Sequence, residues 1–225
     1  MEIKILEDRV GNSYLGDKNI SSIVKKFIYT NIVRYDETYE VKRDYMMKYN
    51  KIHGEYKEWF DKGQLELLCN YKDGKLEGEW REWYDNGQLY ALRIYKDGIL
   101  DRLCKDWYSN GQIDSECFFK DGKQEGKCRR WYANGQLAEH KTFKDGQFEG
   151  EYKTWYDNGL LSFECNFKHG KLNGKYKIWY EHGLLEYESS YKKDKLDGDV
   201  KEWNEEGVLT SHRVYKKGVE VERIL

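Results

Sequence analysis

Proline is absent from all 225 residues. A proline has no N–H to give to a strand ladder, so a chain without it can pair every backbone amide, as a sheet of mostly interior strands requires. Net charge is nearly absent too: 39 basic and 41 acidic side chains leave a formal charge of −2. That balance lacks the basic excess of a nucleic-acid-binding surface, and no nucleic-acid partner is expected. No run of 18 apolar residues occurs, so no membrane-spanning helix is expected. The opening residues MEIKILEDRV lack the apolar core and small-residue cleavage site of a secretory signal. The expected location is the cytoplasm, and the Asn19-Ile20-Ser21 sequon is then without consequence.

Signatures of chemistry are missing as well. There is no HExxH, no GxSxG, no phosphate-binding glycine loop and no CxxC pair. An enzyme, a cofactor and a metal site are therefore not expected.

What the chain has instead is a period. Trp59, Trp83, Trp107, Trp131, Trp155, Trp179 and Trp203 recur every 24 residues, and Gly63, Gly87, Gly111, Gly135, Gly159, Gly183 and Gly207 keep the same step. A second glycine column, from Gly54 to Gly198, is broken only by Arg102, and a third, from Gly74 to Gly218, only by Asp194. The histidines, His53, His140, His169, His182 and His212, fall at unrelated positions of this period. A fixed period of this length marks an array whose units cannot bury a core alone and must stack on their neighbours.

The expected organisation has four parts. Residues 1–34 form an N-terminal cap segment, in which Ile20, Ile23, Val24, Phe27, Ile28 and Ile32 fall at helical spacing although their β-branching also permits a strand. Residues 35–54 form a degenerate repeat, since Met47 to Gly54 aligns with Tyr71 to Gly78. Residues 55–218 hold seven full repeats, and residues 219–225 form a terminal edge strand or cap.

Within one repeat, Glu79 to Tyr84 and Gln88 to Tyr95 predict two strands joined at Asp85-Asn86-Gly87, and Lys96-Asp97-Gly98 turns the chain toward the next repeat. A two-residue type I′ loop at Asn-Gly sets Tyr84 opposite Leu89 and gathers Trp80, Tyr84, Leu89, Ala91, Arg93 and Tyr95 on the core face. A three-residue bulged loop would shift the pairing and bring the Trp column opposite leucine. Cys69, Cys117 and Cys165 share one column, and Cys104 and Cys128 another. Equivalent positions in such an array stand about 10 or 20 Å apart, beyond the ~7 Å limit between Cα atoms for a disulfide. The cysteines are therefore expected to be reduced thiols in apolar sites.

Two columns of cations supply the candidate interaction face. Lys57, Arg81, Lys105, Arg129, Lys153, Lys177 and Lys201 form one, and Lys72, Lys96, Lys120, Lys144, Lys168, Lys192 and Lys216 the other. With Trp59, Trp83, Trp107, Trp131, Trp155, Trp179 and Trp203, the side chains of Lys105, Lys120, Arg129, Lys144 and Lys153 form a surface able to engage an acidic protein or anionic lipid. Acidic neighbours such as Asp73, Asp97, Asp121, Asp145, Glu79 and Glu151 make a self-paired, solvated face the competing expectation. The stretch Val219 to Leu225 is an alternating strand that could pair with a second copy of the chain, giving a homodimer, unless Glu220, Glu222 and Arg223 blunt it.

The pattern G-x-[YW]-x-x-W-Y-x-N-G-Q-L…Y-K-D-G-K-x-x-G, carried by Gly150 to Gly159 and Phe119 to Gly126, resembles the variant class of MORN repeats. The resemblance covers about three quarters of the chain. It implies an all-β fold, an elongated single-sheet array of antiparallel hairpins. It further implies a non-catalytic scaffold for protein–protein interaction. Two alternatives accompany it: an antitoxin that neutralises a cognate toxin by binding it, as in a bacterial group of similar repeats, and peripheral attachment to anionic membranes. Similar arrays in large DNA viruses would make the host cytoplasm or the virion the location.

Overall fold

The computed structural model of the chain describes residues 29–35 and 41–225. The described residues are all-β, in nineteen strands with no helix. They fall into two compact units, one reaching to Arg102 with Ser109–Gly111, the other comprising Leu103–Tyr108 and Gln112–Leu225.

The first unit holds β1 (Tyr29–Tyr35), β2 (Val41–Lys48), β3 (Lys51–Trp59), β4 (Leu65–Lys72), β5 (Lys75–Trp83), β6 (Leu89–Lys96) and β7 (Ile99–Leu100). The second is built from β8 (Arg102–Trp107), β9 (Ile113–Lys120), β10 (Lys123–Gln124), β11 (Gly126–Trp131), β12 (Leu137–Lys144), β13 (Gln147–Trp155), β14 (Leu161–Lys168), β15 (Lys171–Trp179), β16 (Leu185–Lys192), β17 (Lys195–Trp203), β18 (Leu209–Lys216) and β19 (Val219–Arg223). Strands adjacent in sequence pair antiparallel, as from β1 through β7 and from β11 through β19. Hairpins succeed hairpins, as the 24-residue period predicts.

At the N-terminal end the helical spacing does not carry through to Ile32, which lies in β1 opposite Tyr45. Its β-branched neighbour Val33 suits that pairing. Ile20, Ile23, Val24, Phe27 and Ile28 lie outside the described residues. In the degenerate repeat, Met47 faces Ile52 and Lys48 faces Lys51, the same pairing as Tyr71 with Leu76 and Lys72 with Lys75.

The two turns of each repeat differ in type, and the Asn-Gly turn takes the second of the two geometries weighed for it. At Asp85-Asn86-Gly87 only Gly87 has positive φ (81°). The Gly87 N–H donates to the Tyr84 carbonyl and the Tyr84 N–H to the Gln88 carbonyl, each at 2.9 Å. This is the three-residue bulged loop, and it sets Trp83 opposite Leu89. The type I′ geometry belongs instead to Asp-Gly, where Asp97 and Gly98 have φ of 52° and 81°. The Asn86 side chain supports this loop, its Oδ1 accepting from the Gln88 N–H at 3.0 Å, a bond that mimics a backbone turn, but the same loop closes at Lys62-Gly63, His182-Gly183 and Glu206-Gly207, where the positive-φ glycine is the shared feature.

A third special position lies at the start of the odd-numbered long strands. The register slips between Cys69 and Tyr71 against β5, leaving a bulge at Gly78 with φ of 82°. Arg102 occupies this column with φ of 79°, although a side chain there costs about 1–2 kcal/mol.

The core is thin and lies on one face. Cys69, Ala91, Cys104, Cys128, Ala138, Phe143, Cys165, Ser189 and Val200 are buried, and all but Ala138 stand in columns of the alternation-derived core set. Over them runs an aromatic array. Phe148 stacks on Phe143 at 4.7 Å and on Phe167 at 4.9 Å, while Phe163 meets Tyr176 edge-on at 4.9 Å. Such contacts add about 0.5–1.5 kcal/mol each beyond area burial.

The cysteines correct the expectation. Cys117 and Cys128 form a disulfide, with Cα atoms 4.3 Å apart. They come from different columns, which face each other across neighbouring strands, as Cys69 faces Trp80 and Cys165 faces Tyr176. Comparing only equivalent positions of successive repeats overlooked that pairing. Because disulfides are rare in reducing compartments, the cysteines give no support to a cytoplasmic location. Cys69, Cys104 and Cys165 are buried thiols, and burial pushes Cys69 and Cys165 up to about 12, so both are inert as nucleophiles in the folded chain.

Two outcomes follow from these features. Replacing Arg102 with glycine is expected to stabilise the fold by about 1 kcal/mol, raising the thermal midpoint by roughly 2–4 °C; an unchanged or lower midpoint would contradict the strain. Alkylation of the denatured, unreduced protein should label Cys69, Cys104 and Cys165 and spare Cys117 and Cys128 until reductant is added, as read by peptide mass spectrometry.

Candidate functional site

The seven tryptophans end strands that run into the three-residue loops, and all are half-buried. Trp59, Trp83, Trp131, Trp155, Trp179 and Trp203 stand opposite leucines. Four of their carbonyls are held by side chains as well. In the second unit the tyrosine hydroxyl after one Trp donates to the carbonyl of the next Trp: Tyr108 to Trp131 at 2.7 Å, Tyr132 to Trp155 at 2.7 Å, Tyr156 to Trp179 at 2.6 Å and Tyr180 to Trp203 at 2.8 Å. Each bond crosses from one repeat to its successor.

The loops repeat this device. Asn134 Nδ2 donates to the Asp157 carbonyl and Asn158 Nδ2 to the Glu181 carbonyl, both at 2.9 Å, and in the first unit Asn86 reaches Ser109 in the same way. On the Asp-Gly side, Glu77 accepts from the Asp97 N–H and Glu125 from the Asp145 N–H, both at 2.8 Å. Side-chain-to-backbone bonds thus tie both ends of the strands from repeat to repeat.

The Trp rings share their face with the first cation column, since alternation sets Lys177 two residues before Trp179 and its Nζ lies 6.0 Å from that ring. Across the strands this column runs in a row. In the second unit the row reads Glu116, Arg129, His140, Lys153, Glu164, Lys177, Glu188, Lys201 and His212. Arg129 meets Glu116 at 3.0 Å, Lys105 meets the same carboxylate at 3.7 Å, Lys153 meets Glu151 at 3.2 Å and Lys177 meets Glu188 at 3.6 Å. Lys57 pairs with Glu55 and Arg81 with Glu79. The candidate residues Lys105, Arg129 and Lys153 are therefore half-buried members of a self-paired row.

Lys120 and Lys144 belong to a different environment. They flank the Asp-Gly turns and are exposed. No ion pair within 4.0 Å engages a lysine of their column among the described residues. Several of these lysines stand directly opposite a like charge, Lys72 facing Lys75, Lys120 facing Lys123, Lys168 facing Lys171 and Lys192 facing Lys195. The two columns that look alike in the sequence thus differ: one is neutralised in place and the other is not.

His140 lies in the paired row between Arg129 and Lys153, and its buried Nε2 has no hydrogen-bond partner. Burial first, then Arg129 and Lys127, hold it below the ordinary histidine value of 6.5. Tyr152 is pushed up to about 12 by burial and by donating to Glu139 at 2.8 Å. Both groups are neutral and structural at neutral pH. A shallow depression of about 470 Å³ near Phe60, Trp83, Tyr84 and Tyr90 offers stacking surface without a paired nucleophile and base. No group of three metal-ligating side chains occurs among the described residues.

A row that sequence reasoning passed over lies on the Asn-Gly side. The residue after each loop glycine is Gln64, Gln88, Gln112 and Gln136 in four repeats, then Leu160, Leu184 and Val208. The three apolar side chains are 43%, 43% and 59% exposed. The loss of glutamine from one column was the available signal.

A family model described as MORN repeat variant matches residues 52–73, 76–97, 103–121, 124–145, 148–169 and 172–193, more than half of the chain. The unmatched repeat around Trp203 still forms the same hairpin, with Trp203 opposite Leu209. No curated protein matches the chain.

The low His140 value sets a pH dependence. The unfolded chain takes up this proton at higher pH than the folded one, so stability is present above the ordinary histidine range and lost as pH falls through it. The thermal midpoint should fall more for the wild type than for His140→Gln between about pH 7.5 and pH 5.5; parallel curves would show that His140 does not contribute.

Proposed function

The chain belongs to the MORN repeat variant family, and from that membership we propose that it is a non-catalytic scaffold presenting its Trp and cation face to another protein. The observation that carries this reading is the ladder of tyrosine hydroxyl and asparagine amide bonds from one repeat to the next. Bonds that run through loops keep surface columns in fixed register, so a partner meets a preorganised row rather than one it must order on binding. Half-buried indoles offer large contact area, and aromatic side chains are favoured at interface centres.

A second reading, peripheral attachment to anionic lipid, is favoured by one observation: among the described residues Lys120, Lys144 and the other lysines of their column have no acidic partner within 4.0 Å. Anionic headgroups attract such cations by about 1 kcal/mol each near the surface.

Affinity capture of the natively expressed protein in moderate salt, followed by mass spectrometry, tests the scaffold. A partner retained stoichiometrically by the wild type should be held about tenfold less well by Lys120→Glu/Lys144→Glu/Lys168→Glu, since each charge reversal is worth about 0.5 kcal/mol at an exposed site. A single small partner whose toxicity this chain relieves would assign the scaffold to the antitoxin class. Salt-sensitive pelleting with phosphatidylserine vesicles, lost in the same variant and without a protein partner, would replace the scaffold with the lipid reading.

A further inference from the structure

We propose that the ridge formed by Leu160, Leu184 and Val208, rimmed by Asp157, Glu181, Glu205 and Glu206, docks a cationic amphipathic helix of a partner protein. This rests on the scaffold reading and adds to the Trp and cation face a second surface of opposite charge, with the chemistry of what it takes.

The fold dictates where these side chains lie but not what they are. In three of the four earlier repeats the glutamine lies over the loop glycine of the next repeat: Gln88 Oε1 comes to 3.0 Å, and Gln136 Oε1 to 2.8 Å, of where a Cβ on Gly111 or Gly159 would be. Leu160 and Leu184 take the same place, with a Cδ1 3.4 Å from the corresponding points of Gly183 and Gly207. Each leucine therefore leads to the loop carrying the next member of the row, and the three form one continuous strip. An amide serves this position in four repeats, so packing does not demand an isobutyl group there. Isolated exposed leucines signify little, but a contiguous apolar strip rimmed by charge marks an interaction surface.

The loops of the three apolar repeats are all acidic. The first loop position is Asp61 and Asp85 in the first two repeats, Ser109 and Ala133 in the next two, then Asp157, Glu181 and Glu205, with Glu206 added beside the last, so only the last three join a carboxylate to an apolar side chain. All four carboxylates of these last three loops are exposed, and none makes an ion pair within 4.0 Å among the described residues. Their loops are fixed through the backbone: Asn158 Nδ2 holds the Glu181 carbonyl, and His182 Nε2 lies 2.9 Å from the Glu205 carbonyl. An occupant must therefore bring cations to the rim and apolar groups to the ridge.

Spacing specifies the occupant further. Two strands per repeat space the ridge residues by about 10 Å, and seven residues of helix advance about 10.5 Å. A helix with a leucine in each heptad and Lys or Arg beside it matches ridge and rim together.

The test uses the full chain and a fluorescein-labelled Leu/Lys helix of about three heptads, with a control peptide whose leucines are replaced by glutamine. Leu160→Gln/Leu184→Gln/Val208→Gln restores the residue the earlier repeats carry, and its far-UV circular dichroism should match the wild type. Fluorescence anisotropy is expected to show at least tenfold weaker binding by this variant. Glu181→Gln/Glu205→Gln/Glu206→Gln is expected to remove most of the salt dependence.

Equal binding by wild type and ridge variant overturns the proposal, as does equal binding of both peptides or no binding at all. Self-association of the wild type that the ridge variant abolishes overturns it too, by assigning the strip to a second copy. If the native partner is kept by the ridge variant and lost by the Lys120/Lys144/Lys168 variant, the ridge proposal fails while the scaffold reading stands.

Discussion

The structure depends on hydrogen bonds that leave one repeat and end on the backbone of the next. A 24-residue unit supplies two strands, and a two-stranded hairpin is marginal in water. Ladder bonds alone would hold each strand to its neighbour. The added bonds from Tyr108, Tyr132, Tyr156 and Tyr180 to Trp carbonyls, and from Asn134 and Asn158 to loop carbonyls, tie the strand ends across two strands at a time. Each is worth about 1 kcal/mol, and their effect is cooperative because losing one loosens the turn on which the next is seated.

That constraint explains why so thin a core suffices. The fully buried side chains are small, namely Cys69, Cys128, Cys165 and Ser189, and aromatic rings cover them from the same face. A face of stacked rings resists water less completely than a closed core, which is why Phe163, Tyr176 and Tyr187 remain only half-buried. Turn geometry makes up the difference. Positive φ at Asp97 and Gly98 and at Gly87 fixes register at both strand ends, so slippage would have to break turn bonds as well as ladder bonds.

Periodicity made the fold legible, since a column of tryptophans at constant spacing leaves no other economical reading. The local geometry was less so. Asn-Gly is the usual signature of a type I′ loop, but Asn86 accepts from the Gln88 N–H and donates to the Ser109 carbonyl, and the second bond reaches beyond a four-residue window. The disulfide escaped for a related reason: Cys117 and Cys128 stand 11 residues apart, a separation that does not belong to the period, and only the cross-strand register unites them. The cation columns were visible as columns, and Glu55, Glu79 and Glu151 two residues before Lys57, Arg81 and Lys153 were visible as partners, whereas the pairing of Arg129 with Glu116 and of Lys177 with Glu188 needs the cross-strand register.

Departures from the period carry the functional information in an array of this kind. Positions that repeat without change, such as Trp155 and Gly159, are accounted for by turn and ladder geometry, and the same demand recurs in every unit. A position whose geometry stays constant while its chemistry changes has been released from that demand. Leu160 and Leu184 lie over the next loop glycine as Gln88 and Gln136 do, so hydrogen bonding and packing are indifferent to the exchange, and exposing a leucine in place of an amide brings no stability of its own. Arg102 is the opposite case, keeping a glycine conformation at φ of 79° at a cost the fold bears. The first kind of departure points outward to something the surface meets, and the second inward to a local strain, and the apolar side chains that replace glutamine above acidic loops belong to the first.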